Sequence, residues 1–143
     1  MPAPLGPTAL VVDDEAVLVD EMAEYLAESG IAVITASSCM NALAVFQRQP
    51  KGSVSVVVTD LRMPEVNGDV LLQRMLSLIE PENAVEFVII TGHSNRMQLS
   101  QDLAQIVFAV LNKPLSLATL EKVVLEAHES ALGKRALVRR HVA

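Results

Sequence analysis

The chain has little cysteine, few aromatic residues and no long apolar run. Its single cysteine, Cys39, excludes an intramolecular disulfide and a cysteine metal cluster, and we expect it to be a small buried side chain. No stretch approaches the roughly 18 apolar residues of a membrane span. The N-terminus, MPAPLGPT, also lacks the basic start and the apolar core of a signal peptide. We therefore expect a cytoplasmic protein that does not associate with a membrane.

The length and composition indicate one domain with an aliphatic core. A chain of 143 residues is the size of one ordinary domain. Hydrophobic residues make up 51% of it and aromatic residues only 3%, so aliphatic side chains must fill the core. We divide the sequence into a disordered leader at 1–7, a folded domain at 8–132, and a basic extension of the last helix, or a linker, at 133–143.

The charge is distributed unevenly along the chain. The last 11 residues contain four bases and no acid, whereas the first 132 contain 17 acids and 7 bases, a net charge of −10. An acidic body argues against direct nucleic-acid binding by the domain. We expect the basic residues of the tail to form a solvated helix end. They are Lys134, Arg135, Arg139 and Arg140.

Two kinds of pattern alternate between residue 8 and the C-terminus. Short runs rich in β-branched residues are apolar nearly throughout, which is typical of strands buried on both faces of a parallel sheet. Stretches with a helical spacing of apolar residues separate and follow these runs. The predicted strands are 8–12, 31–36, 54–59, 86–91 and 107–111. The predicted helix stops and caps are Gly30, Ser37 or Ser38, Asn67 and Ser116.

Five strand-helix repeats with right-handed crossovers predict a doubly wound α/β fold. The expected architecture is flavodoxin-like, with a five-stranded parallel sheet in the order 2-1-3-4-5 and five helices. In this topology ligands bind beyond the carboxyl ends of the strands, at the switch point between strands 1 and 3. The residues at these strand ends are therefore the candidates for function.

Polar side chains follow four of the predicted strands. Strand 1 is followed by Asp13 and Asp14, strand 3 by Asp60, strand 4 ends with Thr91, and Lys113 lies just beyond strand 5. Two carboxylates 4 Å apart repel by roughly 4 kcal/mol at an effective dielectric constant of about 20, so the group needs cations. Lys113 supplies one positive charge.

Magnesium is the natural second cation for this group. Mg²⁺ binds one or two carboxylates together with water and phosphate oxygens, and the lack of histidine and cysteine ligands disfavours zinc. With a metal held by Asp13 and Asp14, Asp60 is a candidate nucleophile toward phosphorus. Lys113 and Thr91 could then address the oxygens of a transferred phosphoryl group.

The segments LVVDDE, VTDLRMPEVNG, IITGHS and LNKPL, in this order and at this spacing, resemble the receiver domain of two-component response regulators. The resemblance covers residues 8–130. It implies that Asp60 accepts a phosphoryl group from the phosphohistidine of a sensor histidine kinase or phosphotransfer protein. Such a domain is a signalling switch that catalyses only its own phosphorylation and dephosphorylation.

The same resemblance implies roles for the other residues of these segments. Asp14 would ligate Mg²⁺ directly and Asp13 directly or through water. Asp60 and the backbone carbonyl of Arg62 would complete the protein ligands. Lys113 would pair with the phosphoryl group, and Thr91 would reorient to hydrogen-bond it. The bond before Pro114 would be cis.

The implied output is binding rather than turnover. Phosphorylation of Asp60 would draw Thr91 toward the site and change the face formed by helix 4, strand 5 and helix 5. That face would then bind an output protein, a fused output domain or a second copy of the chain in a homodimer. An apolar stripe on helix 5, formed by Leu120, Val124, Ala127 and Ala131, suits a linker helix or a dimer contact.

The sequence departs from the receiver pattern near strand 5. Receivers usually carry an aromatic switch residue three positions before the lysine, where this chain has Val110. Phe108 shares the Val110 face by strand alternation, so it is a candidate substitute, although we expect it to be buried in the core. The segment QDLAQIVFAV also lacks the usual Gly-Ala turn.

Other interpretations fit the sequence less well. A phosphatase of the haloacid dehalogenase type is the main alternative, but it would need an acid two residues after Asp60, where the chain has Arg62. A flavin-binding carrier would need a hydroxyl-rich loop after strand 1. The Arg62 and His93 side chains either reach the mouth of the site or lie in solvent. We expect His128 to be a histidine on a helix surface.

Overall fold

The computed structural model describes residues 7–60, 68–92 and 101–142. In this part of the chain five parallel strands form one sheet in the order β2-β1-β3-β4-β5. The predicted flavodoxin-like order is therefore confirmed. The strands are β1 (Thr8–Val12), β2 (Ala32–Ala36), β3 (Val56–Asp60), β4 (Glu86–Thr91) and β5 (Ala109–Asn112).

Five α-helices and one short 3₁₀ helix connect or follow these strands in the described residues. None of these helices is both long and apolar enough to cross a membrane. The helices are α1 (Ala16–Glu28), α2 (Cys39–Arg48), α3 (Gly68–Leu76), α4 (Gln101–Ala104) and α5 (Leu117–Val142), with the 3₁₀ helix at Pro81–Asn83.

The predicted helix ends agree with the structure where they are described. Gly30 follows α1 with φ of +87°, a conformation that glycine adopts without the Cβ clash of other residues. Ser38 Oγ accepts a hydrogen bond of 3.1 Å from the Asn41 N–H at the start of α2. Ser116 Oγ accepts one of 3.2 Å from the Thr119 N–H before α5. Asn67 lies outside the described residues.

The core lies on both faces of the sheet because the three central strands are apolar on both sides. Every residue of β3 and β4 is buried, and alternate residues contribute to opposite faces. Leu10, Val57 and Phe87 belong to the cluster that includes α2 and α3 residues. Val58 and Val88 belong to the cluster that includes α1 and α5 residues. The packed core on both faces of the sheet consequently fixes the carboxyl ends of these strands.

Strand β5 begins two residues later than predicted. Residues 105–107 continue the turn of α4, since the Ile106 and Val107 N–H groups both bond to the Leu103 carbonyl at 3.0 and 3.2 Å. The expectation that Phe108 is buried is wrong. Its side chain precedes β5 at the edge of the sheet and is 36% exposed, whereas Val110 packs against the core.

The basic tail is anchored at the amino end of the sheet. Leu120, Val124, Ala127 and Ala131, the stripe predicted to suit a linker helix or a dimer contact, are buried within this chain, and the next position of the stripe, four residues on, is Arg135. The Arg135 guanidinium donates hydrogen bonds to the carbonyls of Ala84 at 3.0 Å, Gly52 at 2.9 Å and Val54 at 3.2 Å. The expectation of a solvated tail is therefore wrong for Arg135, which is 8% exposed.

The expectation that His128 is an ordinary surface histidine also needs correction. His128 is half-buried, and its Nδ1 lies 2.7 Å from the Ser55 hydroxyl. Burial lowers its pKa below the ordinary histidine value. His128 therefore joins α5 to the chain just before β3 and lies at the sheet end opposite the carboxylates.

Replacement of Arg135 by Met tests this anchor. The variant keeps most of the apolar stem but leaves three carbonyls without their donor, so we expect the free energy of unfolding to fall by about 2 to 3 kcal/mol. Arg139→Met is the matched control, because Arg139 is exposed on the same helix, and it should change stability by less than about 0.5 kcal/mol. Urea denaturation measures both values, and equal losses would contradict the anchor.

Candidate functional site

The candidate site forms where four neighbouring strands end. Val12 pairs with Thr59, so Asp13 and Asp60 follow at the same level of β1 and β3. Thr91 pairs with Asn112 at the ends of β4 and β5, and Lys113 is the next residue. The parallel register therefore carries these side chains to one edge of the sheet, as the sequence predicts.

One ammonium group lies among the carboxylates of this edge. Lys113 Nζ lies 2.7 Å from Asp60 Oδ2 and 3.1 Å from Glu15 Oε1. It is also 3.5 Å from Asp13 Oδ2. Burial alone would lower the pKa of Lys113, but its hydrogen bonds to Asp60 and Glu15 outweigh burial and raise this pKa above its ordinary value. Lys113 is therefore positively charged at neutral pH.

Asp13 is the most deeply buried carboxylate of the group, with 1% exposure. Its Oδ1 accepts a hydrogen bond of 2.9 Å from the Glu15 N–H. Its Oδ2 is buried and receives no hydrogen bond from the described residues. Burial raises the pKa of Asp13 to about 6, against the opposing effects of the Glu15 N–H and the Lys113 charge. The ionised form of Asp13 therefore lacks part of the stabilisation that water would give it.

The acids that follow β1 differ in their contact with the carboxylate group. In the described part of the chain, carboxylate oxygens of Asp13, Glu15 and Asp60 lie within 4.8 Å of one another, whereas Asp14 is exposed and is not in that group. The sequence motifs do not single out Glu15. Its only sequence signal is its place in VVDDE, and strand alternation could not orient it because the chain bends between β1 and α1. Metal binding by Asp14 remains a prediction.

The remaining predicted residues fall partly outside the described chain. Thr91 is fully buried, and its hydroxyl donates a hydrogen bond of 3.1 Å to the Gly92 carbonyl. The Thr91 carbonyl accepts a hydrogen bond of 2.8 Å from the Lys113 N–H, which ties the ends of β4 and β5. The Lys113–Pro114 bond is cis, as predicted. Arg62 and His93 lie outside the described residues.

The donor set fits a hard divalent cation. It offers carboxylate oxygens from three residues within a short distance, and one of these oxygens is buried without a hydrogen bond from a described residue. Oxygen ligands of this kind suit Mg²⁺. A cation here would also offset the unfavourable burial of the Asp13 charge.

The raised pKa of Asp13 predicts how stability depends on pH without divalent cations. The folded state binds the Asp13 proton more tightly than the unfolded state does. Ionisation of Asp13 therefore lowers the free energy of unfolding, and this loss is complete above about pH 6. The loss disappears as the pH falls toward the unfolded pKa of 3.8. Asp13→Asn should therefore raise the free energy of unfolding at pH 7.5 by about 1 to 3 kcal/mol.

Thermal unfolding in EDTA at pH 7.5 and pH 4.5 measures this effect. The gain in Asp13→Asn should shrink at pH 4.5, whereas Asp20→Asn, an exposed control on α1, should show little gain at either pH. A gain in Asp13→Asn that is the same at both values would contradict the role of Asp13 ionisation.

Comparison with known proteins gives one consistent family. The sequence model of the family described as response regulator receiver domain matches residues 9–125. An uncharacterized response regulatory protein of Vibrio cholerae is 36% identical over 119 residues, which cover 82% of this chain and 46% of that protein. The two-component response regulator PprB of Pseudomonas aeruginosa is 26% identical over 134 residues, covering 91% of this chain and 48% of PprB. The chain thus spans about half the length of these relatives.

Solved structures give the same result. A response regulator receiver domain protein from Clostridium thermocellum superposes with a TM-score of 0.77 at 26% identity, covering 92% of this chain and 98% of that one. A response regulator receiver protein from Pseudomonas putida gives a TM-score of 0.73 at 26% identity, covering 87% and 98% of the two chains. The sequence match, the strand order and the group of carboxylates around Lys113 agree, and the chain belongs to the response regulator receiver domain family.

Proposed function

We propose that this chain is the phospho-acceptor of a two-component or phosphorelay system. In this role Asp60 receives a phosphoryl group from the phosphohistidine of a sensor histidine kinase or phosphotransfer protein. The observation that carries the proposal is the contact of 2.7 Å between Lys113 Nζ and Asp60 Oδ2 at the end of a fully buried strand. This contact supports the proposal, because Lys113 is a charged donor beside the carboxylate that would attack phosphorus.

The chemistry is a displacement at phosphorus. A carboxylate oxygen of Asp60 forms the new P–O bond, the P–N bond to the imidazole breaks, and its electron pair remains on the imidazole nitrogen. The product on this chain is an acyl phosphate. Such transfers depend on positioning and on neutralisation of phosphoryl oxygens more than on covalent assistance. Burial of β3 restricts Asp60, and Lys113 offers a cation to these oxygens.

Asp13 and Asp60 would hold the magnesium ion that the family implies, together with Asp14 and the carbonyl of Arg62. The buried Asp13 Oδ2, which no described residue hydrogen-bonds, supports this assignment. When bound, Mg²⁺ supplies positive charge that neutralises the phosphoryl oxygens. Asp13 and Asp60 would hold that charge beside the carboxylate that accepts the phosphoryl group.

Thr91 would couple phosphorylation to the surface. Among the described residues its hydroxyl donates to the adjacent Gly92 carbonyl at 3.1 Å, a local bond that it can exchange for one to a phosphoryl oxygen. The Thr91 carbonyl is bonded to the Lys113 N–H, so a shift of Thr91 also acts on the end of β5. The face formed by α4, β5 and α5 would then change its affinity for a partner.

The partner would be an output protein, a fused output domain or a second copy of the chain. Related segments occur within longer proteins of different types. The transcriptional regulatory protein GlrR of Escherichia coli is 29% identical over 26% of its length. The sensor kinase CckA of Brucella abortus is 32% identical over 12% of its length. The phosphatase alternative is not favoured, because the comparisons identify response regulators and Arg62 stands where its second acid is required.

Phosphorylation can be tested with a small donor. Incubation with phosphoramidate and Mg²⁺ should add one phosphoryl group to the intact mass, because Asp60 is the acceptor. The addition should be lost in Asp60→Asn and in EDTA, and Lys113→Met should slow it by about 100-fold as a charged donor to the phosphoryl oxygens is removed.

Asp20→Asn, which removes an exposed acid of α1, serves as the control and should be labelled at the wild-type rate. An unchanged mass of the wild type would refute the proposal. Labelling that is undiminished in Asp60→Asn would refute Asp60 as the acceptor.

A further inference from the structure

Glu15 is a third carboxylate of the site, and the proposed reaction assigns it no role beyond its place among the carboxylates that lie within 4.8 Å of one another. It occupies the N-cap position of α1, where a side chain usually accepts a hydrogen bond from the first helical turn. The Glu15 side chain makes no such bond. Its Oε1 instead accepts a hydrogen bond of 3.1 Å from Lys113 Nζ.

The backbone of Glu15 is fixed to the same site. Its N–H donates a hydrogen bond of 2.9 Å to Asp13 Oδ1. Because Asp13 is buried at the end of β1, this bond holds the first residue before α1 against the carboxylate group. The contact between Glu15 and Lys113 is therefore supported by a fixed position of the Glu15 backbone.

The three side chains form a series from the interior to solvent. The side chain of Asp60 is 6% exposed, that of Lys113 is 25% exposed and that of Glu15 is 63% exposed. The ammonium thus lies between the buried acceptor and a carboxylate at the mouth of the site. Its outer bond, to Glu15, is the weaker one, because water screens an exposed ion pair.

We propose that Glu15 is a positioning residue that competes with the phosphoryl group on Asp60 for Lys113. The inference rests on the proposed function. A phosphoryl group brings oxygens that need the N–H groups of Lys113, and one of these N–H groups is already engaged by Glu15. Asp60 holds Lys113 at 2.7 Å by itself, so loss of Glu15 does not release the ammonium from the site. Glu15 therefore limits the phosphorylation of Asp60.

Two substitutions separate competition for Lys113 from simple repulsion of the donor. Glu15→Gln keeps the length but removes the charge. Glu15→Asp keeps the charge, but it is one methylene shorter and cannot maintain the 3.1 Å contact. We expect both variants to be labelled by phosphoramidate and Mg²⁺ about two- to fivefold faster than the wild type, the size of effect that a partly exposed ion pair provides.

Glu21→Gln is the matched control, since it makes the same change at an exposed position of α1, and it should be labelled at the wild-type rate. A rate in Glu15→Gln equal to or below that of the wild type would overturn the inference. It would also be overturned if Glu15→Asp kept the wild-type rate while Glu15→Gln was faster, because charge repulsion alone would then explain the result.

Beryllofluoride binding gives a second readout that does not depend on a rate. In ¹H–¹⁵N NMR titrations with Mg²⁺, both Glu15 variants should bind beryllofluoride about two- to fivefold more tightly than the wild type, and unchanged affinities would count against competition. Failure of the proposed function is distinguishable, since the wild type would then not be labelled or Asp60→Asn would be. In that case both the proposed function and the role of Glu15 would be refuted.

Discussion

The burial of Asp13 and Asp60 at the ends of two adjacent strands is the constraint on which the site depends. Buried carboxylates are unfavourable unless they are paired, and two of them side by side repel each other. The fold accepts this arrangement because the aliphatic core on both faces of β1 and β3 fixes the strand ends. Lys113 relieves part of the repulsion. Burial, with a smaller contribution from the Asp60 charge, raises the pKa of Asp13, and one Asp13 oxygen is buried without a hydrogen bond from a described residue; both make the site receptive to a second cation.

Much of the fold could be predicted from the sequence because its strands are short, apolar on both faces and separated by helical patterns. That pattern specifies a parallel sheet, and chirality and connection rules leave few strand orders. Asp60 and Lys113 could be assigned because they follow strands whose ends must meet at one edge. The start of β5 could not be predicted, because the apolar segment before it has the pattern of a strand. In the structure the N–H groups of Ile106 and Val107 bond to the Leu103 carbonyl, so this segment continues the turn of α4.

The side-chain details of the site could not be predicted for a related reason. Between β1 and α1 the chain changes direction, so neither strand nor helix periodicity shows which of the acids after Asp13 faces Lys113. Glu15 does so in the structure. At Arg135 the residue type alone suggested a solvated side chain. The arginine is buried because carbonyls from distant loops accept its hydrogen bonds, and no local sequence pattern indicates those partners. In the structure Arg135 continues the spacing of the α5 stripe and is buried, contrary to the expected solvated tail, because the fold brings three carbonyls to it.

Helix α5 is held along its length by its buried stripe and near its C-terminal end by Arg135. Ser116 caps its first turn near the carboxyl edge of the sheet, and Arg135 binds three carbonyls close to the starts of β3 and β4. A helix that slid along its axis would break all three Arg135 bonds together. Arg135 therefore fixes the position of α5 along its axis relative to the starts of β3 and β4, and with it the distance between the end of the helix beside Lys113 and the amino edge of the sheet.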